Sequence, residues 1–337
     1  MELLGLISKN FLSPAILFFV LGIIAGILKS DLKIPCSISK FLAIYLMISI
    51  GFKGGNSFIL DEGFNNNIII LAIVAVSISY FNPFLAFKLL VRFTNVDKIT
   101  AAAIAAHYGS VSIVTFTAAV SFLNLNNIAF QSYMISILAL MEAPAILSGL
   151  YIAHKNSPSP SPNPSSNISK QDKRLPLKEV FTNSAIILLI GSFFIGFITG
   201  KEGMEKVESF LITPFNGVLC LFLLDMGLSV VRNSHQLKNF AFSLFLFGIA
   251  MPILSALLGL VLSLLLALDK GTSFLFVVLC ASSSYIAVPA ALRLALPEAK
   301  AGIYLPMSLS ITFPFNIIVG IPIYYSLVSY AYHIYHT

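Results

Sequence analysis

The sequence predicts an all-α polytopic membrane protein of ten transmembrane helices, arranged as a five-plus-five inverted repeat with discontinuous helices 4 and 9. Three observations predict this class. Apolar stretches of spanning length recur along the chain, a polar Pro/Ser-rich segment leaves five of them on either side, and short segments of the second half echo the first in the same order.

Hydropathy comes first. Of 337 residues, 58% are hydrophobic and only 10% charged, and the mean hydropathy is +0.93. A soluble domain carries about 25% charged residues, so this chain has too few to cover a surface in water. A helix needs about 20 apolar residues to cross the hydrocarbon core, and windows of that kind lie at 12–29, 36–52, 66–89, 99–122, 128–153, 181–200, 208–231, 238–267, 272–294 and 302–331. A transmembrane barrel would instead show short alternating segments, which the sequence lacks. The N-terminal MELLGLISKNF has no basic leader region, and no small-residue cleavage site follows the run that begins at Leu12. The first window is therefore expected to be a retained span in a mature chain that begins at Met1.

The linker divides the chain. Residues 154–180 contain Pro158, Pro160, Pro162, Pro164 and Pro176 among many serines, a composition that neither continues a helix nor buries itself. The expected organisation is a first five-helix repeat at 1–153, a flexible linker at 154–180 and a second five-helix repeat at 181–337. Internal echoes support it: LGIIAG (21–26) with IGFITG (195–200), MISIGFKGG (47–55) with FLLDMGLSV (222–230), and AAHYGSVS (105–112) with CASSSYIA (280–287). An odd number of spans in each half turns the second copy upside down, which is the plan of secondary transporters.

Charge sets the expected orientation. With ten spans, most of the 20 Lys and Arg residues fall on one side, leaving Lys9, Lys53, Lys201, Lys206 and Lys270 on the other. The richer side is cytoplasmic by the positive-inside rule. Both termini then face outward from the plasma (inner) membrane, and linker 154–180 is cytoplasmic. A cysteine at Ser161 is expected to resist impermeant thiol reagents in intact cells while one at Thr337 reacts; the reverse pattern would overturn this orientation. The net charge of +6 comes from basic residues scattered singly between apolar runs, so they form no nucleic-acid face. The three cysteines, Cys36, Cys220 and Cys280, are too few and too separated for a disulfide or zinc framework.

Two spans are interrupted by polar residues. Span nine passes from FLFVVLC into Ala281, Ser282, Ser283, Ser284 and Tyr285, and Pro289 follows within two turns. Span four carries His107, Tyr108, Gly109, Ser110 and Ser112, then Thr115 and Thr117. Non-helical backbone at membrane depth survives only where protein buries it or water reaches it, and paired interruptions in two halves point to a substrate site. A restarting helix presents free N–H groups and a positive dipole end that favour an anion, with serine hydroxyls as extra donors. Freed carbonyls suit a hard cation such as sodium. The competing reading is that the small residues simply let membrane helices approach closely.

Glu142 in span five and Asp225 in span seven are intramembrane carboxylates, either cation or proton sites or groups satisfied by a neighbouring donor. Lys53 and Arg293 lie near span ends, where long basic side chains anchor at the interface. His107 has no second histidine or cysteine at metal-ligand spacing. No GxSxG or Walker A pattern is present, so neither a hydrolase nor an ATP motor is expected.

The segments GFKGG (51–55), GSVSIVT (109–115), LMEAPAI (140–146), LLDMGLS (223–229), ASSSYIAVPAALRLALPEA (281–299) and IYLPMSLSITFPFNIIVGIP (303–322) together resemble the cyanobacterial sodium-dependent bicarbonate transporter family and its bacterial relatives. The resemblance implies core and gate bundles, a homotrimer, and bicarbonate uptake coupled to sodium ion. It also implies a soluble cytoplasmic regulatory protein as partner. Matched residue by residue, Gly109, Ser112, Thr115, Ser282, Ser283 and Ser284 stand in the family's central motifs. Glu142 replaces a family Asp, Tyr285 stands where Asp follows the serines, Ile113 and Val114 replace small residues, and Val288 and Ala290 replace Gly and Pro.

The expected function is secondary transport of bicarbonate or a small organic anion with sodium, at a site formed by Gly109, Ser110, Ser112, Thr115, Ser282, Ser283, Ser284 and Tyr285. Glu142 and Asp225 are the candidates for cation binding or charge relay. The alternatives are a carrier of a larger organic anion, of bile-acid or auxin-efflux architecture, and a non-transporting receptor on the same fold.

Overall fold

The computed structural model describes residues 12–60, 66–156, 184–234, 241–285 and 287–336. Most of linker 154–180 lies outside them, as do Lys9, Ser161 and Thr337. The described residues are helical with no strand: α1 Pro14–Ile27, α2 Cys36–Leu60, α3 Asn66–Phe93, α4 Lys98–Gly109, α5 Ile113–Leu125, α6 Met134–Asn156, α7 Ser184–Leu211, α8 Phe215–Ser234, α9 Phe242–Leu265, α10 Lys270–Ala281 and α11 Ala287–Ala295. A last helix, α12, runs over 301–336 and widens to π-helix at Met307–Thr312 and Asn316–Gly320. Among these residues, 7 helical stretches are long and apolar enough to cross a membrane, counting α4 with α5 as one, and Pro14–Ile27 and Lys270–Ala281 are shorter apolar helices. Each of the ten sequence windows holds a helix or a broken pair.

Several helix ends differ from the windows by a turn or two, and the difference at α7 and α8 has a clear cause. Window 181–200 ends where α7 breaks at Gly200, whose φ of 54° and ψ of −147° lie in a region that residues with a Cβ rarely adopt. The stretch after it holds Lys201, Glu202, Glu205, Lys206 and Glu208, and α8 starts only at Phe215 rather than at 208. Charges at that density belong outside the hydrocarbon, so the connection between the two spans is itself helical.

Glycines decide which spans pair. A Cβ on Gly22 of α1 would lie 2.2 Å from the Leu224 carbonyl oxygen of α8, and one on Gly227 of α8 would lie 2.2 Å from the Phe19 oxygen. The same occurs between α2 and α7, where Gly55 would meet the Phe193 oxygen at 1.9 Å and Gly196 the Phe52 oxygen at 2.1 Å. Apolar lipid gives membrane helices no hydrophobic reason to associate, so backbone contact of this closeness supplies the attraction. Spans one and seven, and two and six, are thereby joined across the halves. The other helices pack around α4, α5, α10 and α11, with α3 and α6 on α4 and with α9 and α12 on α10.

The two broken spans run in opposite directions. At the start of α4, Asp97 accepts from the Thr100 N–H (2.8 Å), and Lys300, which follows α11, reaches both residues: its Nζ is 3.1 Å from Asp97 and its N–H donates to Thr100 Oγ1 (3.1 Å). Partial burial alone would raise the Asp97 carboxyl, but the Thr100 N–H and Lys300 outweigh it and hold the group below its ordinary value. At the start of α10, Asp269 accepts from the Thr272 N–H (3.0 Å), and Gln131, which follows α5, donates its N–H to Thr272 Oγ1 (3.0 Å). Each broken span thus begins beside the chain that leaves the other.

Candidate functional site at the crossing of the broken helices

Both breaks have the same local cause. After a 12-residue half-helix capped by an Asp-Lys-x-Thr segment (97–100 and 269–272), the chain turns extended, at Ser110 (φ −87°, ψ 166°) and at Ser282 (φ −76°, ψ 164°). Serine side chains compete with the helix for backbone groups, which favours helix ends. Ser112 then caps α5, its Oγ accepting from the Thr115 N–H (3.2 Å), and Ser284 Oγ accepts from the Val288 N–H (3.4 Å) in the first turn of α11.

The two extended segments are bonded to each other. The Ser112 N–H donates to Ser282 Oγ (3.0 Å), and the Ser282 hydroxyl donates to the Leu279 carbonyl (2.8 Å). The Ser284 N–H donates to the His107 carbonyl (3.0 Å), while His107 Nδ1 donates to the Ser284 carbonyl (2.5 Å). That second bond assigns the proton to Nδ1, which it also shares with Ser308 Oγ at 3.0 Å.

Asparagine amides cover the carbonyl ends of both half-helices. Asn82 Nδ2 donates to the Tyr108 oxygen (2.7 Å) and Asn316 Nδ2 to the Ala281 oxygen (2.9 Å). Tyr324 in turn donates to Asn316 Oδ1 (2.8 Å), and the Tyr108 hydroxyl bonds Thr312 Oγ1 (2.7 Å), which donates to the Gly248 carbonyl (2.7 Å). Sequence reading missed Asn82, Ser308, Thr312 and Asn316. The signal was available for three of them: 308, 312 and 316 recur every fourth residue among Pro306, Pro314 and Pro322, which puts them along one side of a helix.

The structure separates the expected site residues by what their side chains do. Ser112, Ser282 and Ser284 spend their hydroxyls on capping and on linking the breaks. Gly109 allows close approach, since a Cβ there would lie 2.3 Å from Pro83. Thr115 is buried, with its N–H capped. Ser110 and Ser283, in contrast, are 1% and 3% exposed and their hydroxyls have no hydrogen-bond partner. Tyr285 lays its ring on Phe313 (centroids 4.9 Å apart).

Glu142 lies level with the crossing. The Ser79 hydroxyl bonds the Met141 carbonyl, and the Ser79 carbonyl stands 2.8 Å from where a Gly109 Cβ would be, so α3 ties residue 141 to the end of α4. Glu142 is 2% exposed and its Oε2 has no hydrogen-bond partner. Asp225 is different: it sits on α8, in the bundle that α1 completes, and pairs with Arg232 at 3.5 Å.

A family model described as the Na+-dependent bicarbonate transporter superfamily matches residues 14–329. The chain belongs to that superfamily. The match runs from the start of α1 through most of α12 and includes both breaks and Glu142. No curated protein matches the chain. Membership makes this a multi-pass membrane transporter of a sodium-dependent family rather than an enzyme.

For such a transporter the crossing is electrostatically lopsided. The half-helix carbonyls of His107, Tyr108 and Ala281 are already bonded by protein donors. The ends where α5 and α11 begin offer positive dipole ends beside two free hydroxyls. This polarity suits an anion, and of the two expected carboxylates Glu142 is the one beside the residue that α3 ties to the end of α4.

Proposed function

We propose that this member of the Na+-dependent bicarbonate transporter superfamily carries a small anion, bicarbonate in the first instance, together with sodium by alternating access around the antiparallel breaks. The observation that carries this reading is the pair of buried, unpartnered hydroxyls of Ser110 and Ser283 beside the starts of two half-helices. Those hydroxyls donate to the anion, the N-termini of α5 and α11 stabilise its charge, and the Glu142 carboxylate balances sodium.

Inverted symmetry is part of the proposal. Its support is that the two broken spans begin at opposite ends and that spans one and seven, and two and six, exchange partners across the halves. The glycine-locked pairs α1–α8 and α2–α7 then form the gate against which the remaining helices move. Both termini outside, a cytoplasmic linker, a homotrimer and a soluble cytoplasmic regulator complete the reading, supported by the Lys/Arg bias and by the family resemblance.

The test is uptake into proteoliposomes of labelled bicarbonate and of a panel of carboxylates, with and without an inward sodium gradient. Bicarbonate accumulation that collapses when the gradient is removed is expected. Accumulation of none of these anions under any gradient would remove the transport reading in favour of a receptor.

A further inference from the structure

A cavity lies beside the crossing, between α2 and α5. Its volume is about 310 Å³, and it is closed by the segment before α6 and by the start of α8. Lys53 is the single charged residue that lines it, and Ser49, Ser121 and Asn124 add hydroxyl and amide groups, while the Thr117 hydroxyl donates to the Ile113 carbonyl (2.8 Å). Ser49 is 1% exposed, and the neighbouring Tyr45 hydroxyl donates to the Phe210 carbonyl (2.5 Å). Ile50, Val120, Ile135 and Phe215 supply an apolar wall.

Three features define what fits. No carboxylate lines the cavity or pairs with Lys53 among the described residues, so the net local charge is positive. The volume equals that of about ten liquid waters at ~30 Å³ each, and bicarbonate would fill only a small part of it. The wall combines one cationic head with hydrocarbon, the arrangement expected of a pocket for an amphiphilic ligand. The cavity also reaches Phe116 and Thr117, within a turn and a half of the α5 start at Ile113, so a ligand held there stands next to the crossing.

We propose that this cavity is a separate binding site for a short aliphatic carboxylate. The carboxylate head rests on the Lys53 ammonium, and an alkyl part of about five carbons lies against Ile50, Val120 and Ile135. The proposal goes beyond the crossing and does not depend on it, because it concerns binding rather than translocation.

Equilibrium binding of labelled hexanoate to the purified full-length protein tests it, with acetate and bicarbonate as competitors. Saturable binding is expected in the wild type. Lys53→Gln, a change at an exposed helix position, is expected to weaken it about tenfold or more, the loss typical of a hydrogen bond to a charged group. Val120→Phe fills the alkyl space and is expected to weaken hexanoate while leaving acetate competition intact. Ser283→Ala is expected to leave hexanoate affinity unchanged even where it abolishes uptake, which separates failure of this site from failure of the crossing. No saturable hexanoate binding, equal affinity in Lys53→Gln, or bicarbonate competing better than hexanoate would each overturn the proposal.

Discussion

Replacing Ser283 with alanine is expected to lower bicarbonate uptake about tenfold to a hundredfold while the melting temperature of the purified protein stays the same. The Ser283 hydroxyl is buried and has no protein partner, so its removal breaks nothing in the substrate-free fold. Under the proposed function it donates to a charged ligand in the loaded state, and such a bond contributes about 1.5–3 kcal/mol. Ser110→Ala is expected to behave alike. Ser282→Ala is expected to do the reverse, lowering stability by about 1–3 kcal/mol, because the Ser112 N–H would lose its acceptor in a buried place. Initial uptake rates and thermal melts on the three variants measure this contrast. Equal stability losses in all three with unchanged transport kinetics would assign every one of these serines to packing.

Glu142→Gln is expected to raise the sodium concentration needed for half-maximal uptake by a hundredfold or more, or to abolish the sodium response. Glutamine preserves the side-chain volume and removes the charge. A carboxylate about 4 Å from a cation at an effective dielectric near 20 contributes on the order of 4 kcal/mol before desolvation is subtracted, which amounts to orders of magnitude in affinity. In the proposed reading Glu142 carries this role, since Tyr285 is uncharged and its ring is committed to Phe313. Asp225→Asn is expected to leave the sodium response unchanged, because Arg232 already faces that carboxylate. Sodium titration of uptake decides the matter, and an unaltered response in Glu142→Gln would remove Glu142 from the coupling mechanism.

Much of the architecture was legible along the chain. Spanning length and apolar composition are sums over contiguous residues, so each window holds a helix or a broken pair, with ends that shift by several residues as at Cys36–Leu60 and Met134–Asn156. The interruptions at 110–112 and 282–284 were equally visible, since serines and glycines resist helix locally. The helix that continues past Gly200 to Leu211 was not, because hydropathy marks where a span ends and carries no signal for a charged helical connection after it.

The sequence by itself therefore determined the spans, the polar linker, the two breaks and the set of residues from which a site has to be built. Only the tertiary structure decided which of those residues are free. Ser112 and Ser282 meet across 170 residues of chain, His107 and Ser284 across 177, and Ser308 reaches His107 across 201. No local pattern records such a meeting, yet it leaves the Ser110 and Ser283 hydroxyls without partners and commits those of Ser112, Ser282 and Ser284 to the backbone. Lys53 shows the same division: near a span end it reads as an interfacial anchor, and only the approach of α5 to α2 turns it into the charged group of a cavity. The physical reason is that a hydrogen bond or a cavity depends on which distant segment arrives, whereas hydropathy and helix breaking depend on each segment's own atoms.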